Sequence, residues 1–313
     1  MNYYLYLLAG LVVLIAGGEF LVRGGVSLAG HLRISRMVVG VTVVSFGTSA
    51  PELVVSLDAA LSGHPDISLG NVIGSNISNI SLVLALTILI TPYFVKSATV
   101  VKDWLMMIGV TILFMVFLIS GSKLTRIEGV IMFGLLVSFV WYSVQKSRQS
   151  MKNSGTDPPE SRYPLPLTIV IILVSSGSLV FGADLLVKGA SGIAVSFGIS
   201  ERVISVSIIA LGTSLPELAT SVMAAARKEN EISIGNIIGS NIFNLLAILG
   251  LTSAISPVNV NDRGVITTDI WWMLGTSLVL FLLILPLKGS RLSRLKGVIL
   301  VSIYLGYIYT VFT

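Results

Sequence analysis

The chain has no cysteine, which excludes disulfides and thiolate metal sites and leaves the redox compartment unspecified. Charge is scarce as well: Asp, Glu, Lys and Arg make up 11% of its 313 residues, against about 25% in soluble domains. Histidine occurs only as His31 and His64, unpaired at loop edges, so an imidazole metal centre is not expected. The N-terminal MNYYLYLLAG lacks both the basic n-region and the small-residue cleavage pattern of a secretion signal, and it reads as a retained first span. Extended polar segments are almost absent. The exception is KSRQSMKNSGTDPPESRYP, residues 146–164, rich in Ser, Pro and charge as linkers are.

What fills the chain instead is apolar: 54% of residues are hydrophobic and the mean hydropathy is +0.93. Apolar runs of about 20 residues, each able to cross a hydrocarbon core roughly 30 Å thick, recur throughout. Ten are predicted, near 4–27, 37–61, 67–91, 103–120, 126–145, 165–187, 200–226, 232–255, 267–286 and 295–312. Lipid offers no hydrogen-bond partners, so spans must be helices or a closed barrel, and these runs lack the alternation of barrel strands. An all-α, multi-pass membrane protein is expected, with lipid around it.

The net charge of +5 could suggest an acidic partner such as nucleic acid, but its distribution argues otherwise. Counting the spans in order, the odd-to-even loops (1–2, 3–4, 5–6, 7–8, 9–10) carry fourteen basic residues, and the opposite loops carry four, Lys123, Arg126, Arg202 and Arg263. The positive-inside rule therefore predicts both termini outside the cell and the 146–164 linker in the cytoplasm, in the cell membrane. No nucleic acid and no obligate protein partner is indicated.

The chain is duplicated. At an offset of 165, GTSAPELVVS (47–56) falls on GTSLPELATS (212–221) and SLGNVIGSNISN (68–79) on SIGNIIGSNIFN (233–244), with 19 of 33 positions identical over 47–79. The register extends to Glu19 on Asp184, Arg23 on Lys188, Ile34-Ser35 on Ile199-Ser200 and Pro92 on Pro257. The organisation predicted is a first five-helix repeat at 1–145, the linker at 146–164 and a second at 165–313. An odd number of spans per repeat starts the second copy on the opposite side, so the repeats are expected to be inverted, as in many secondary transporters.

The repeated motif contains chemistry that a lipid-facing helix would not carry. Pro51 cannot donate to the carbonyl of Gly47, and its ring clashes with that carbonyl, so the span should break at 45–51 and its copy at 210–216. Freed backbone at membrane depth is tolerated only where it is buried in protein or lines a cavity, which makes each break a candidate binding locus. Thr48, Ser49 and Glu52 lie within one turn, Ser75 and Asn79 share a face of the next span, and Thr213, Ser214, Glu217, Ser240 and Asn244 repeat them. All offer oxygen, the donor of hard cations, whereas zinc, copper and iron favour nitrogen or sulfur; Ca²⁺ or Na⁺ is the expected occupant. One Ca²⁺, two Na⁺ or two protons each neutralise the two glutamates, and mutually exclusive occupancy is what exchange requires. The glycines of GNVIG (70–74) and GNIIG (235–239) are expected to let helices approach closely, and Asn71 and Asn236 to hydrogen-bond the broken backbone.

Paired GTSxPE and GNxIGSNxxN motifs over essentially the whole chain resemble the repeats of the cation/calcium exchanger superfamily, most closely its prokaryotic sodium/calcium branch. The resemblance implies ten transmembrane helices with ion sites at the midplane between spans 2, 3, 7 and 8. It implies as ligands the ten side chains just named, joined by the backbone carbonyls of Ser45 and Ala210. It further implies a Na⁺/Ca²⁺ antiporter that needs no cofactor, with Ca²⁺/H⁺ exchange on the same glutamates as the alternative. Some relatives carry Asp where this chain has Asn244, which argues against potassium dependence. Proton-coupled relatives usually carry Glu where it has Gly74 and Gly239, which favours Na⁺. An intramembrane hydrolase using Glu52 and Glu217 is the remaining class, but the sequence supplies neither an activated nucleophile nor a zinc ligand set. Two further pairs at helical spacing, Glu19 with Arg23 and Asp184 with Lys188, read as structural ion pairs.

Overall fold

A computed structural model describes residues 2–95, 97–155, 157–198, 210–285 and 290–312. The helices are α1 (Tyr3–Leu32), α2 (Arg36–Thr48), α3 (Ala50–Leu61), α4 (Pro65–Ile90), α5 (Ser97–Gly121), α6 (Arg126–Ser154), α7 (Leu165–Ser196), α8 (Ala210–Gly212), α9 (Leu215–Ala226), α10 (Asn230–Ile255), α11 (Val265–Ile284) and α12 (Arg294–Phe312). Among the described residues, eight are long and apolar enough to span a membrane, and α2 with α3 forms a ninth span bent by 49°. The predicted span 200–226 is represented by α8 and α9; its residues 200–209, with Arg202 and the matched Ile199-Ser200, lie outside the described residues, as do Lys96 and Lys288.

Helix ends differ from expectation where polar residues continue a helix. The α6 helix starts on a Thr125/Glu128 capping box and runs through Ser154 into the polar linker, because KSRQSMKNS contains no breaker until Gly155, which caps it at φ 61°. Likewise α7 extends to Ser196, nine residues beyond the predicted 187. Four short strands were not anticipated: Tyr93–Val95 pairs antiparallel with Ser290–Leu292, and Lys123–Leu124 with Val258–Asn259. They clip loop ends from one half of the chain to loop ends of the other.

Burial separates centre from rim. The apolar window of α10 is 100% buried and that of α4 72%, whereas α6 and α12 reach only 22% and 17%. The rim helices turn Ile127, Val130, Leu295 and Tyr309 outward, as a surface solvated by lipid requires. Thus α4 and α10, which carry the two GNxIGSN motifs, form the middle of the molecule.

α1 and α7 run antiparallel along a seam of small residues. Gly10, Gly17 and Gly24 recur every seven residues on α1 and pack against Leu186, Leu179 and Ile172; Gly182 and Gly189 of α7 pack in turn against Leu14 and Leu7. Offset by 165, Gly17 falls on Gly182 and Gly24 on Gly189, so both copies contribute equivalent positions. A Cβ on Gly10 would lie 2.5 Å from the main-chain nitrogen of Leu186 and 2.8 Å from the carbonyl of Gly182, where no rotamer change can relieve it. Gly10→Val should therefore lower stability in detergent by about 1–3 kcal/mol, read as an earlier thermal transition; an unchanged transition would refute the close seam.

Candidate cation site

The two breaks form as the sequence dictates. Ser49 leaves the helical range (φ −84°, ψ 11°) between α2 and α3, and Ser214 does the same (φ −83°, ψ 0°) before α9. Pro51 and Pro216 then sit in the first turn of the new helix, where their missing N–H has no partner to lose. The sequences Ser49-Ala50-Pro51-Glu52 and Ser214-Leu215-Pro216-Glu217 have capping-box spacing, yet neither serine caps its helix. Instead the Ser49 hydroxyl donates to Glu217 Oε1 across the site at 3.0 Å. Each glutamate stands in the first turn of its helix, where the positive end of the helix dipole favours a carboxylate.

Glu52 and Glu217 are both 0% exposed. Neither Oε atom of Glu52, and not Oε2 of Glu217, has a hydrogen-bond partner among the described residues. The two carboxylates are near enough to repel, and Thr213 faces Glu52 without closing a hydrogen bond of ordinary geometry. Thr48 and Ser240 flank Glu217. The Thr48 hydroxyl reaches the Ser45 carbonyl (3.2 Å), Asn236 Oδ1 (3.1 Å) and Ser240 Oγ (3.5 Å). The Ser45 carbonyl also accepts the Ser49 N–H at 2.9 Å, so this expected ligand already has two internal donors.

The remaining expected residues come from α4, α8, the turn between α8 and α9, and α10. Ser75 and Asn79 on α4 and Ser240 and Asn244 on α10 are all buried, and Asn79 has neither end of its amide partnered among the described residues. Ser214 is buried and Thr213 half-buried at the second break, which Ala210 enters from α8. A π-turn begins at Asn79 and another at Asn244, the wide helical turn that recurs at functional sites.

Asn71 and Asn236 bind the backbone just past the expected breaks, at the glutamates, and not the carbonyls that the prolines free. The Asn71 amide donates to the Glu52 carbonyl at 3.3 Å and to Ser56 Oγ at 2.9 Å; the Asn236 amide donates to the Glu217 carbonyl at 3.4 Å and to Ser221 Oγ at 3.1 Å. The repeat thus reproduces its hydrogen bonds as well as its letters. Close packing follows only the glycines of the second copy: Gly235 abuts Met37 and Gly40, and Gly239 abuts Val41 and Ser45, whereas Gly70 and Gly74, expected to pack likewise, have no described atom within 4 Å of an added Cβ.

Several contacts were not visible in the motif. Asn244 donates to Asn76 Oδ1 at 3.0 Å, joining the halves at the site. Glu19 pairs with Arg23 at 2.6 Å as expected, but also with Arg227 at the end of α9, tying α1 to the second half. Asp184 and Lys188 pair at 2.6 Å. Arg36 and Glu229 form a further ion pair at 3.2 Å. The α1–α7 seam could have been found from the seven-residue glycine spacing; the Glu19–Arg227 and Arg36–Glu229 pairs could not, since their partners lie 193–208 positions apart.

The family described as "Sodium/calcium exchanger protein" matches residues 2–145 and 167–313. A protein of Alkalimonas amylolytica named putative antiporter CaxA is 40% identical over 318 residues, covering 99% of this chain and 98% of that one. The sodium/calcium exchanger MaX1 of Methanosarcina acetivorans is 29% identical over 99% of this chain and 98% of its own. The solved structure of the sodium-calcium exchanger NCX_Mj, soaked with Na⁺ and Ca²⁺, superposes with a TM-score of 0.82 at 30% identity, over 99% of this chain and 98% of that one. A multi-pass helical membrane protein with two buried carboxylates at paired helix breaks, this chain belongs to the sodium/calcium exchanger family, whose members are antiporters and not enzymes.

Proposed function

We propose that the protein extrudes Ca²⁺ from the cell in exchange for entering Na⁺, by alternating access of one midplane site. The observation that carries this reading is the pair Glu52 and Glu217, wholly buried with three of four carboxylate oxygens unpartnered among the described residues. Burying unpaired charge costs several kcal/mol per ion, so such a pair persists only where bound cations or protons neutralise it. The ligands are the side chains of Thr48, Ser49, Glu52, Ser75, Asn79, Thr213, Ser214, Glu217, Ser240 and Asn244, with the carbonyls of Ser45 and Ala210. Neutral oxygens replace the hydration shell and the glutamates supply two charges, a balance met by one Ca²⁺ or two Na⁺.

The organisation is ten spans in two inverted five-helix repeats, with both termini outside and the linker cytoplasmic, in the plasma membrane. Antiparallel α1 and α7 support inversion, since these helices are the first of each repeat. Every loop pairing supports the alternation of sides. The loop after span 3 pairs with that after span 9, and the loop after span 4 with that after span 8. Asp66, in the first turn of α4, accepts from the main chain of Asn261 and Asp262, again joining chain segments predicted to share a side. α1 and α7 would move as a pair against the remaining helices, their tight seam preserving the unit.

Na⁺ is favoured over H⁺ because no carboxylate occupies the Gly74 and Gly239 positions, and at Gly239 the backbone of α2 leaves no room for a side chain. Asn244 likewise contributes a neutral oxygen that does not titrate. In proteoliposomes, an outward Na⁺ gradient should drive ⁴⁵Ca²⁺ uptake and an imposed pH gradient should not. Uptake that follows the pH gradient without Na⁺ selects Ca²⁺/H⁺ exchange instead.

A further inference from the structure

Asn76 lies one turn from Asn79 on α4, is 1% exposed, and is the residue through which α4 reaches the expected ligand Asn244. Its Nδ2 lies 3.3 Å from the Asn241 main-chain oxygen and 3.5 Å from Met273 Sδ. A carbonyl and a thioether accept hydrogen bonds and donate none, so this end of the Asn76 amide must be its NH₂ group. Its Oδ1 is thereby fixed at the opposite end, 3.0 Å from the Asn244 side chain. Only a donor can satisfy that oxygen, so Asn244 turns its own NH₂ toward Asn76 and its Oδ1 away. That Oδ1 is buried and has no hydrogen-bond partner among the described residues.

We infer that Asn76 is a positioning residue that locks the Asn244 amide with its oxygen, and not its NH₂, toward the transported cation. The polarity passes from a main-chain carbonyl through two amides to a free acceptor, and reversing any step would aim N–H groups at a positive ion. The lock acts on one copy only. Asn241, the counterpart of Asn76, donates to Ile237 of its own helix at 2.7 Å, and Asn79 is held at neither end among the described residues. The two amide ligands are therefore unequal: Asn244 is preset as an oxygen ligand, while Asn79 is free to turn as occupancy changes.

This assignment rests on the exchange reading, and an experiment separates the two. A carboxylate in place of the Asn244 amide has two equivalent oxygens and no orientation to set. Asn76→Ala should raise the Ca²⁺ concentration for half-maximal thermal stabilisation in detergent, and for half-maximal exchange, about tenfold, with the maximal rate within about twofold of wild type. In an Asn244→Asp background the same substitution should not weaken Ca²⁺ binding, because it removes the Asn76 oxygen that opposes the new carboxylate. Asn76→Asp keeps an acceptor for Asn244 but sets its second oxygen against the Asn241 carbonyl, so it should melt earlier than wild type and yet bind Ca²⁺ no more weakly, which separates lost orientation from lost folding. An equal factor in both backgrounds, or weakened binding in Asn76→Asp, overturns the positioning role alone. A wild-type protein stabilised by neither Ca²⁺ nor Na⁺ overturns the exchange reading and this assignment together.

Discussion

Glu52→Gln and Glu217→Gln should each reduce Na⁺-driven ⁴⁵Ca²⁺ flux by at least about a hundredfold. Removing one carboxylate from a divalent cation about 4 Å away forfeits roughly 4 kcal/mol per unit charge at an effective dielectric near 20, which is close to a thousandfold in affinity. Glutamine preserves shape, and at position 217 it leaves a carbonyl that still accepts from Ser49, so the loss is one of charge. Stability should move the other way. The two carboxylates are buried, mutually repelling and short of donors, so neutralising one removes a cost from the ion-free protein. Each variant should melt later than wild type without ions and lose most of the Ca²⁺-dependent rise in melting temperature. Near-normal flux in both would falsify the assignment of these residues as the ion's charge partners.

This opposition of stability and function explains why the site was legible in the sequence. Glutamate, proline and two hydroxyls within a span conflict with everything a lipid-facing helix needs, and the conflict recurs 165 residues later in register. The break at Ser49 follows from local chemistry, the missing N–H of proline. What resisted reading depends on geometry between distant elements. The π-turns at Asn79 and Asn244 have no residue signature that separates them from ordinary helix. The bond from Asn244 to Asn76 requires α4 and α10 to meet face to face, and no local pattern announces that. The Ser-x-Pro-Glu spacing even points the wrong way, toward a cap that neither serine makes and that Ser49 forgoes in favour of Glu217.

Gly239→Ala should impair transport by more than about tenfold without touching an ionisable group. The added methyl would lie 2.5 Å from the Val41 carbonyl oxygen and 2.6 Å from Val41 Cα, both main-chain atoms. Side chains cannot give way there, so α2 must shift against α10, and overpacking of this kind costs about 1–3 kcal/mol. The shift carries ligands with it. Four residues on from Val41, Ser45 donates to the Asn236 carbonyl at 3.1 Å, and Thr48 sits against Asn236 and Ser240. Displacing that edge lengthens several oxygen distances at once, and coordination at 2.3–2.6 Å tolerates little of it. Gly134→Ala is the matched control, because Gly134 faces outward on α6 with no described atom within 4 Å of the new methyl. The two variants should therefore differ in both melting temperature and half-saturating Ca²⁺, with Gly134→Ala close to wild type. Equal behaviour would mean that the approach of α2 to α10 does not set the spacing of the site, and the glycines of the second motif would need another explanation.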